Sequence, residues 1–409
     1  MSEMRPATAE TAGPADGPLT AVGAVRAAET VLEDVLDAEL RRAGAVDPVF
    51  ARDVAGRVGS FLRRGGKRLR TAFAWCGWRA AGGSGDATAV LRVGAALELV
   101  QACALMHDDV MDGSLRRRGA PALHVDLAHM HRAAGMSGSP ESFATAAAVL
   151  AGDLALAWAD DVLTETALGS PHGPRLYAEW RAMRSEMVAG QYRDLHAQAA
   201  GASGLDEAVT IATLKSALYT VERPLALGAS LAGADEDELA ALRSAGRCAG
   251  LAFQLRDDLL GAFGDPALTG KPVGDDLRTR KLTYLLAVGL RRAGDCGDED
   301  ASAALAAGAG PRSDDTVERM RAALERTGAR SVVESKVAEL AADSVRHFDR
   351  TRADVTVRRE FALLVERASG VVLPDRPDSP DRPDPTGRPD PTGRPEEGDR
   401  TQGGTRGGG

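Results

Sequence analysis

The chain has 409 residues, with 50 basic and 59 acidic side chains giving a formal charge of −9, and this excess of acid argues against nucleic-acid binding as its main activity. Cys76, Cys103, Cys248 and Cys296 form no CxxC pair, which argues against a zinc site or a disulfide framework and fits a reducing cytoplasm. Ala, Leu, Arg, Glu and Val dominate, aromatics make up 4%, and alternating β-branched runs are nearly absent, so the fold class is all-α.

Residues 1–19 lack both a basic start and an apolar stretch, so they read as a disordered lead and not as a signal peptide or anchor. A folded domain is expected over 20–370. Its first notable motif is Gly65-Gly66-Lys67-Arg68-Leu69-Arg70, three cations after a flexible turn, which in isolation reads as a solvated basic turn. Segment 87–107 is apolar nearly all round, as expected of a helix buried inside a large helical domain. It runs into Asp108, Asp109 and Asp112. The first two lie four and three residues before the third, so on a helix they share one face within about 5–6 Å. Bare, each like-charged pair at that spacing costs on the order of 1 kcal/mol in water and more in a dry cleft, a penalty that a divalent cation reverses. Hard oxygen ligands suggest magnesium, with substrate phosphate filling its remaining positions.

Arg116-Arg117-Arg118-Gly119 follows at once, and cations beside metal-binding carboxylates suit a polyanionic ligand better than a salt-bridge network. Residues 129–140 read as irregular. Ser139-Pro140-Glu141 then caps a helix over 143–160. Lys215-Ser216 sits in the apolar segment 209–220. Segment 241–256 repeats the long apolar character of 87–107 and ends in Asp257-Asp258, so two central helices carry acid at corresponding ends, with chain enough between them to bring those ends together. The Gly/Pro/Asp-rich segment 265–281 reads as a loop carrying Lys271 and Lys281 that folds back over the second acidic pair. Ser313 opens a helix over 314–327 that Gly328 closes. From 371 the chain turns to Pro, Asp, Arg and Gly, with RPDPTG at 382–387 repeated at 388–393, a composition expected to stay disordered. No run of about eighteen uncharged apolar residues marks a membrane span.

These motifs, GGKRLR at 65–70, LMHDDVMD at 105–112, RRG at 117–119, GQYRDL at 190–195, KSALYT at 215–220, FQLRDD at 253–258 and GKPVGDDL at 270–277, resemble the trans-isoprenyl diphosphate synthases, and they occur in that family's order. The resemblance implies an isoprenoid-synthase-like helical bundle around a central cavity, homodimeric, most similar to bacterial geranylgeranyl diphosphate synthases. It implies three magnesium ions, with Asp108 and Asp112 holding two on an allylic diphosphate, Asp109 supporting them and Asp257, beside Asp258, taking the third. Lys67, Arg70, Gln101 and Arg118 match the positions that bind isopentenyl diphosphate. Arg117, Lys215, Lys271 and Lys281 match those that hold the allylic diphosphate, and Gln254 and Ser216 complete that shell. Four departures stand out: Gly261 where a last aspartate is common, Thr71 for a proline, Ser216 for a threonine, and Thr279-Arg280 before Lys281.

Leu97, Val100, Cys103 and Ala104 lie below the first acidic cluster at one-turn steps, where a growing hydrocarbon tail would run. Short-chain members close this pocket with a bulky aromatic, whereas Cys103 and Ala104 leave it open, so a product longer than fifteen carbons is expected. Two alternatives share parts of this pattern. A terpene cyclase lacks the second aspartate pair and the basic turn, and a silent partner subunit loses an acidic pair, whereas all three features are present here.

Overall fold

The computed structural model describes residues 20–264, 274–306 and 313–373. The lead, Lys271 and the tail therefore lie outside the described residues.

In chain order the main helices are α1 (Ala21–Val46), α2 (Gly56–Arg63), entered through a helical turn at Pro48–Phe50 and a short π-helical turn at Ala51–Ala55, α3 (Leu69–Ala80), α4 (Thr88–Met111), α5 (Leu123–Ala133), α6 (Pro140–Leu168), α7 (Gly173–Ala200) and α8 (Leu205–Ile211). After α8 the chain widens into a π-helix, Ala212–Glu222, and continues without a break as α9 (Arg223–Leu231). Then come α10 (Glu236–Phe263), α11 (Asp275–Arg278), α12 (Tyr284–Asp295), α13 (Glu299–Ala306), α14 (Asp314–Arg326), α15 (Ala329–Phe348) and α16 (Val355–Ser369). The all-α class is what the structure shows. Among the described residues the one strand pair is a ribbon of Arg116–Arg117 against Ala120–Pro121.

Local chemistry sets the helix ends. Ser139 accepts a bond from the Ser142 amide with Pro140 at the first position of α6, and Ser313 accepts from Thr316 at the start of α14. Asp235 and Thr283 cap α10 and α12 in the same way. The helix of the second acidic pair thus begins at Glu236, upstream of the apolar segment that reveals it, because its first turn is acidic. Similarly, the end of α5 takes in residues 129–133 of the stretch expected to be irregular.

The core has α4 at its centre, with Val93, Leu97, Leu99 and Val100 fully buried. Each such side chain gains roughly 1.5–3 kcal/mol from leaving water. Helix α4 packs most extensively on α6, while α10 packs on α15 and on the π-helix. Both α4 and α6 are apolar and long enough to cross a bilayer, which the scattered charges in their sequences do not suggest. In α4 that character reflects its place in the core, since 67% of its most apolar window is buried, against 44% for α6.

Candidate active site

The first acidic cluster occupies the last turn of α4. Asp108 and Asp112 are half-buried there and Asp109 is fully buried. The ribbon just after it turns at Arg118 and Gly119, whose φ values of 52° and 75° are both positive, the geometry that lets a two-residue loop reverse a twisted strand pair. That reversal sends Arg117 back onto the cluster. Its Nε donates to Asp109 Oδ1 at 2.8 Å and its Nη2 to Asp108 Oδ2 at 3.4 Å. Asp109 Oδ2 is buried with no hydrogen-bond partner.

Two lysines reach the same carboxylates from elsewhere in the chain. Lys215, on the π-helix, donates to Asp108 Oδ1 at 3.1 Å and to Asp194 Oδ2 at 2.7 Å. Lys281, just before α12, stands 3.6 Å from Asp112 and 3.4 Å from the same Asp194 oxygen. Burial alone would raise the Asp108 carboxyl, but Lys215, Lys281 and Arg117 outweigh it and hold the group below the usual carboxylate range. Asp112 shows the opposite balance. Burial, joined by repulsion from Asp108, pushes it up despite Lys281. For Lys281 burial disfavours the charge, yet Asp194, Asp112, Asp276 and Asp108 more than compensate and its ammonium is held well above the ordinary range.

The π-helix brings Lys215 to this place. A π-helix is wider than an α-helix and favours functional positions. Its neighbours make room with glycine: a Cβ on Gly190 of α7 would lie 2.6 Å from Lys215 Cα, and one on Gly250 of α10 would lie 2.7 Å from Ala217 Cα. Ser216 is buried between them in sequence.

On the second acidic helix, Asp257 is exposed and Asp258 is buried. Asp258 Oδ1 accepts from Gln254 Nε2 at 2.7 Å, and its Oδ2 accepts from the Tyr284 amide at 3.3 Å. Burial first, then the nearby Asp276 and Asp257, push its carboxyl up to about 8. Asp258 thus binds Gln254 and the start of α12, and of the two aspartates Asp257 alone faces solvent.

A separate cationic group lies across the α4 end. Lys67 is exposed, while Arg70 Nη2 donates to Thr220 Oγ1 at 2.9 Å and its guanidinium sits 4.0 Å over the Tyr219 ring. The Tyr219 hydroxyl donates to Gln101 Oε1. Arg118 stacks 5.1 Å over Phe61, and a Cβ on Gly66 would lie 3.0 Å from its Nη2. Burial lowers the Arg118 pKa, and repulsion from Arg68, Arg117 and Arg70 adds to that despite Glu98. Such a group of incompletely compensated cations is suited to an anion. Arg68 belongs to the scaffold: it is buried and donates to Glu98 at 2.5 Å and Glu29 at 3.1 Å. Thr71 supports Glu98 from the next turn at 3.2 Å.

Of the residues expected to form the tail pocket, Leu97, Val100 and Cys103 are buried, and Cys103 Sγ lies 3.8 Å from His107 Nδ1. Ala104 is half-buried, on one line with Gln101 and Asp108 at three- and four-residue steps.

Two residues escape selection from the motifs alone. Asp194 lies within GQYRDL and Tyr219 within KSALYT, but nothing in sequence shows that Asp194 bridges two lysines or that Tyr219 links Arg70 to Gln101.

The sequence model of the polyprenyl synthetase family matches residues 55–325, and the chain belongs to that family. It is 35% identical over 264 residues to the geranylgeranyl diphosphate synthase of Mycobacterium tuberculosis, covering 64% of this chain and 69% of that protein. It is 32% identical over 314 residues to a (2E,6E)-farnesyl diphosphate synthase of Mycobacterium bovis, covering 76% of each. Its fold matches the crystal structure of a geranylgeranyl pyrophosphate synthase from Corynebacterium glutamicum complexed with isoprenyl diphosphate and magnesium, at a TM-score of 0.80 and 38% identity, covering 85% of this chain and 98% of that one. Trans-prenyl diphosphate synthesis is the activity these matches support.

Proposed function

We propose that the protein is a magnesium-dependent prenyltransferase that joins isopentenyl diphosphate head-to-tail to an allylic diphosphate and releases geranylgeranyl diphosphate. The observation that carries this reading is the division of charge around the end of α4. Lys215, Lys281 and Arg117 are gathered on the acidic side, and Arg70 and Arg118, with exposed Lys67, on the other. Two separate anion sites flank one helix end, which suits a reaction with two diphosphate substrates.

The carboxylate oxygens of Asp108, Asp112 and exposed Asp257 are the hard donors magnesium prefers, and the unpartnered Asp109 oxygen adds buried acceptor capacity beside them. Among the described residues no three carboxylates already converge on one point, and Lys215, Lys281 and Arg117 pair with those of the first cluster. Bound there with diphosphate, magnesium would neutralise charge on the leaving group. The side chains have their own tasks. Lys215, Lys281 and Arg117 give the diphosphate cationic donors that strengthen as it departs. Arg70, Gln101 and Arg118 orient the second diphosphate, with Tyr219 and Thr220 fixing Arg70. No side-chain nucleophile is needed, since the double bond of isopentenyl diphosphate attacks the allylic carbon.

The product assignment is supported by small Ala104 on the open line below Asp108 and by Leu97 and Val100 deeper in the core, which leave the pocket without an aromatic stopper. A homodimer is supported by the outer face of α6, where Phe143, Val149 and Leu150 are 39%, 40% and 61% exposed, an apolar strip suited to a second copy. Incubation with magnesium, isopentenyl diphosphate and each allylic primer in turn, with chromatographic identification of the products, tests the reading. Failure to consume isopentenyl diphosphate would refute it, and a main product other than the twenty-carbon chain would refute the chain length.

A further inference from the structure

Helix α7 stands across from the line of Ala104 and Leu97 on α4. The Lys215 ammonium donates to Asp108 Oδ1 at 3.1 Å and to Asp194 Oδ2 at 2.7 Å, so Asp194 of α7 lies level with Asp108 of α4. The two helices run in the same direction. On α6, the Val149 carbonyl lies 3.1 Å from His107 Nε2, and Thr166 Oγ1 accepts from Arg92 Nε at 3.1 Å, so α6 descends antiparallel to α4. The turn at 169–172 reverses the chain, and α7 climbs back along α6 to the level of Asp108.

Parallel helices joined at one level match step for step. Ala104, Gln101 and Leu97 stand four, seven and eleven residues before Asp108, and Gly190, Met187 and Met183 stand at the same intervals before Asp194. At 1.5 Å of rise per residue, these pairs lie about 6, 10 and 16 Å below the carboxylates. A second route leads to the same depth. Asp160 is eleven residues beyond Val149, level with Ala96, and accepts from Trp180 Nε1 of α7 at 2.6 Å. Met183, three residues above Trp180, is therefore within one turn of Leu97 by either count.

Helical angle decides what these side chains face. At about 100° per residue, Met187 and Met183 point within about 20° of the direction of Asp194, with Gly190 about 40° to one side and Trp180 about 40° to the other. Gly190 is packed on the π-helix backbone at Lys215 and Trp180 is bonded to α6, so the methionines look out between those two neighbours. Helix α4 lies there, bonded to the π-helix through Gln101 and to α6 through His107. It packs closely on α6, and α7 packs closely on the π-helix, but α4 and α7 do not pack directly on each other. Ala104 and Met187 mark the space between them, since both pack on the core and yet keep contact with solvent. Deeper down the space closes, with Leu97 and Met183 fully buried.

We infer that α7 supplies the opposite wall and the floor of the tail pocket, with Met187 across from Gln101 and Met183 facing Leu97 to stop the growing chain. The inference rests on the prenyl-elongation reading of the site and adds to it the residue that ends elongation. Gly190 and Ala104, the small pair just below the carboxylates, admit the tail. An unbranched thioether fills irregular space without a fixed shape, which suits a floor against a flexible chain. Trp180, tied to Asp160 one turn below, supports Met183 from beneath.

The test is incubation of the full-length protein with magnesium, isopentenyl diphosphate and geranyl diphosphate, with mass spectrometry of the products and thermal melts of each variant. Met183→Ala lowers the floor and is expected to lengthen the main product by about one isoprene unit, whereas Met187→Phe places a ring higher in the pocket and is expected to shorten it by about one. Lost stability reduces yield without moving product length, so length separates this role from packing alone. Opposite shifts from the two variants support the inference. The wild-type main product from either folded variant overturns it, and Met187→Phe decides alone if Met183→Ala does not fold. Ala104→Phe separates the two levels: if it shortens the product and Met187→Phe does not, only the assignment to α7 fails, whereas a wild-type chain that elongates no allylic primer refutes the prenyl-elongation reading itself.

Discussion

Asp194 Oδ2 lies 2.7 Å from the Lys215 ammonium and 3.4 Å from that of Lys281. A single carboxylate oxygen, on a residue only 1% exposed, thus holds two cations that come from segments far apart in sequence. Burial opposes its charge, but Lys281 and Lys215 overcome that and keep its carboxyl below the usual range. Replacement by the isosteric amide leaves two lysines with one acid fewer and a weaker hold on their position. Asp194→Asn is expected to lower kcat/KM for the allylic substrate on the order of 10²-fold, since removing one partner of a buried pair costs about 3–5 kcal/mol, part of which appears as lost stability. Steady-state kinetics with thermal melts separates the two shares.

The proposed magnesium site predicts metal dependence. Excess EDTA is expected to stop turnover and added magnesium to restore it. Asp108→Ala is expected to reduce the rate by several orders of magnitude, more than loss of one neutral donor at a developing anion would. Near-normal magnesium-dependent turnover by this variant would remove Asp108 from the metal site.

Chain length separates two neighbouring positions. Ala104 stands on the half-buried line below Asp108, whereas Cys103 is packed toward His107. Ala104→Phe is expected to shorten the main product by about one isoprene unit, because the ring takes volume that the tail now uses. Cys103→Phe is expected to shorten it as well, with about 1–3 kcal/mol lost to overpacking. Mass spectrometry of the products and thermal melts measure both effects, and unchanged products from both variants would show that α4 does not set the length.

The outer face of α6 makes its own prediction. Leu150→Glu, placing a charge in the exposed apolar strip, is expected to convert dimer to monomer in analytical ultracentrifugation. A wild-type chain that sediments as a monomer would contradict the proposed assembly.

Thiol chemistry offers a check on packing. Burial, with Asp153 and Asp160 nearby, pushes the Cys103 thiol up to about 12, so very little thiolate is present at pH 8. Cys296 is exposed. Alkylation at pH 8 followed by peptide mass spectrometry is expected to modify Cys296 readily and leave Cys103 intact in the folded protein.

Much of this arrangement is visible in the chain itself. The apolar run before Asp108 marks a buried helix, the Ser139-Pro140 and Ser313 caps mark true helix starts, and the ordered motifs identify the family. The structure extends these signals where periodicity is silent. Helix α10 starts earlier than its apolar stretch because its first turn is polar, and residues 212–222 follow a wider helical repeat that a period of 3.6 residues does not capture. Within the site, the motifs locate Lys215 and Lys281 but not Asp194 between them. That bridge depends on α7, the π-helix and the approach to α12 meeting in space, and no local spacing encodes such a meeting. Arg68 shows the reverse: one basic turn supplies both a buried scaffold cation and cations open to solvent, and only burial tells them apart.

The widened stretch Ala212–Glu222 also constrains how this chain can vary. Lys215 bonds to Asp108 in the first acidic cluster, while Tyr219 and Thr220 hold Arg70, and both sets hang on one uninterrupted rod from Leu205 to Leu231. Excising a single residue from that rod would rotate its upstream half by about 100° against its downstream half. The two sides of the proposed site would lose their common alignment while the rod, shorter by only about 1.5 Å, kept its apolar character, so homologues with an insertion or deletion here would need compensating changes on both flanking helices.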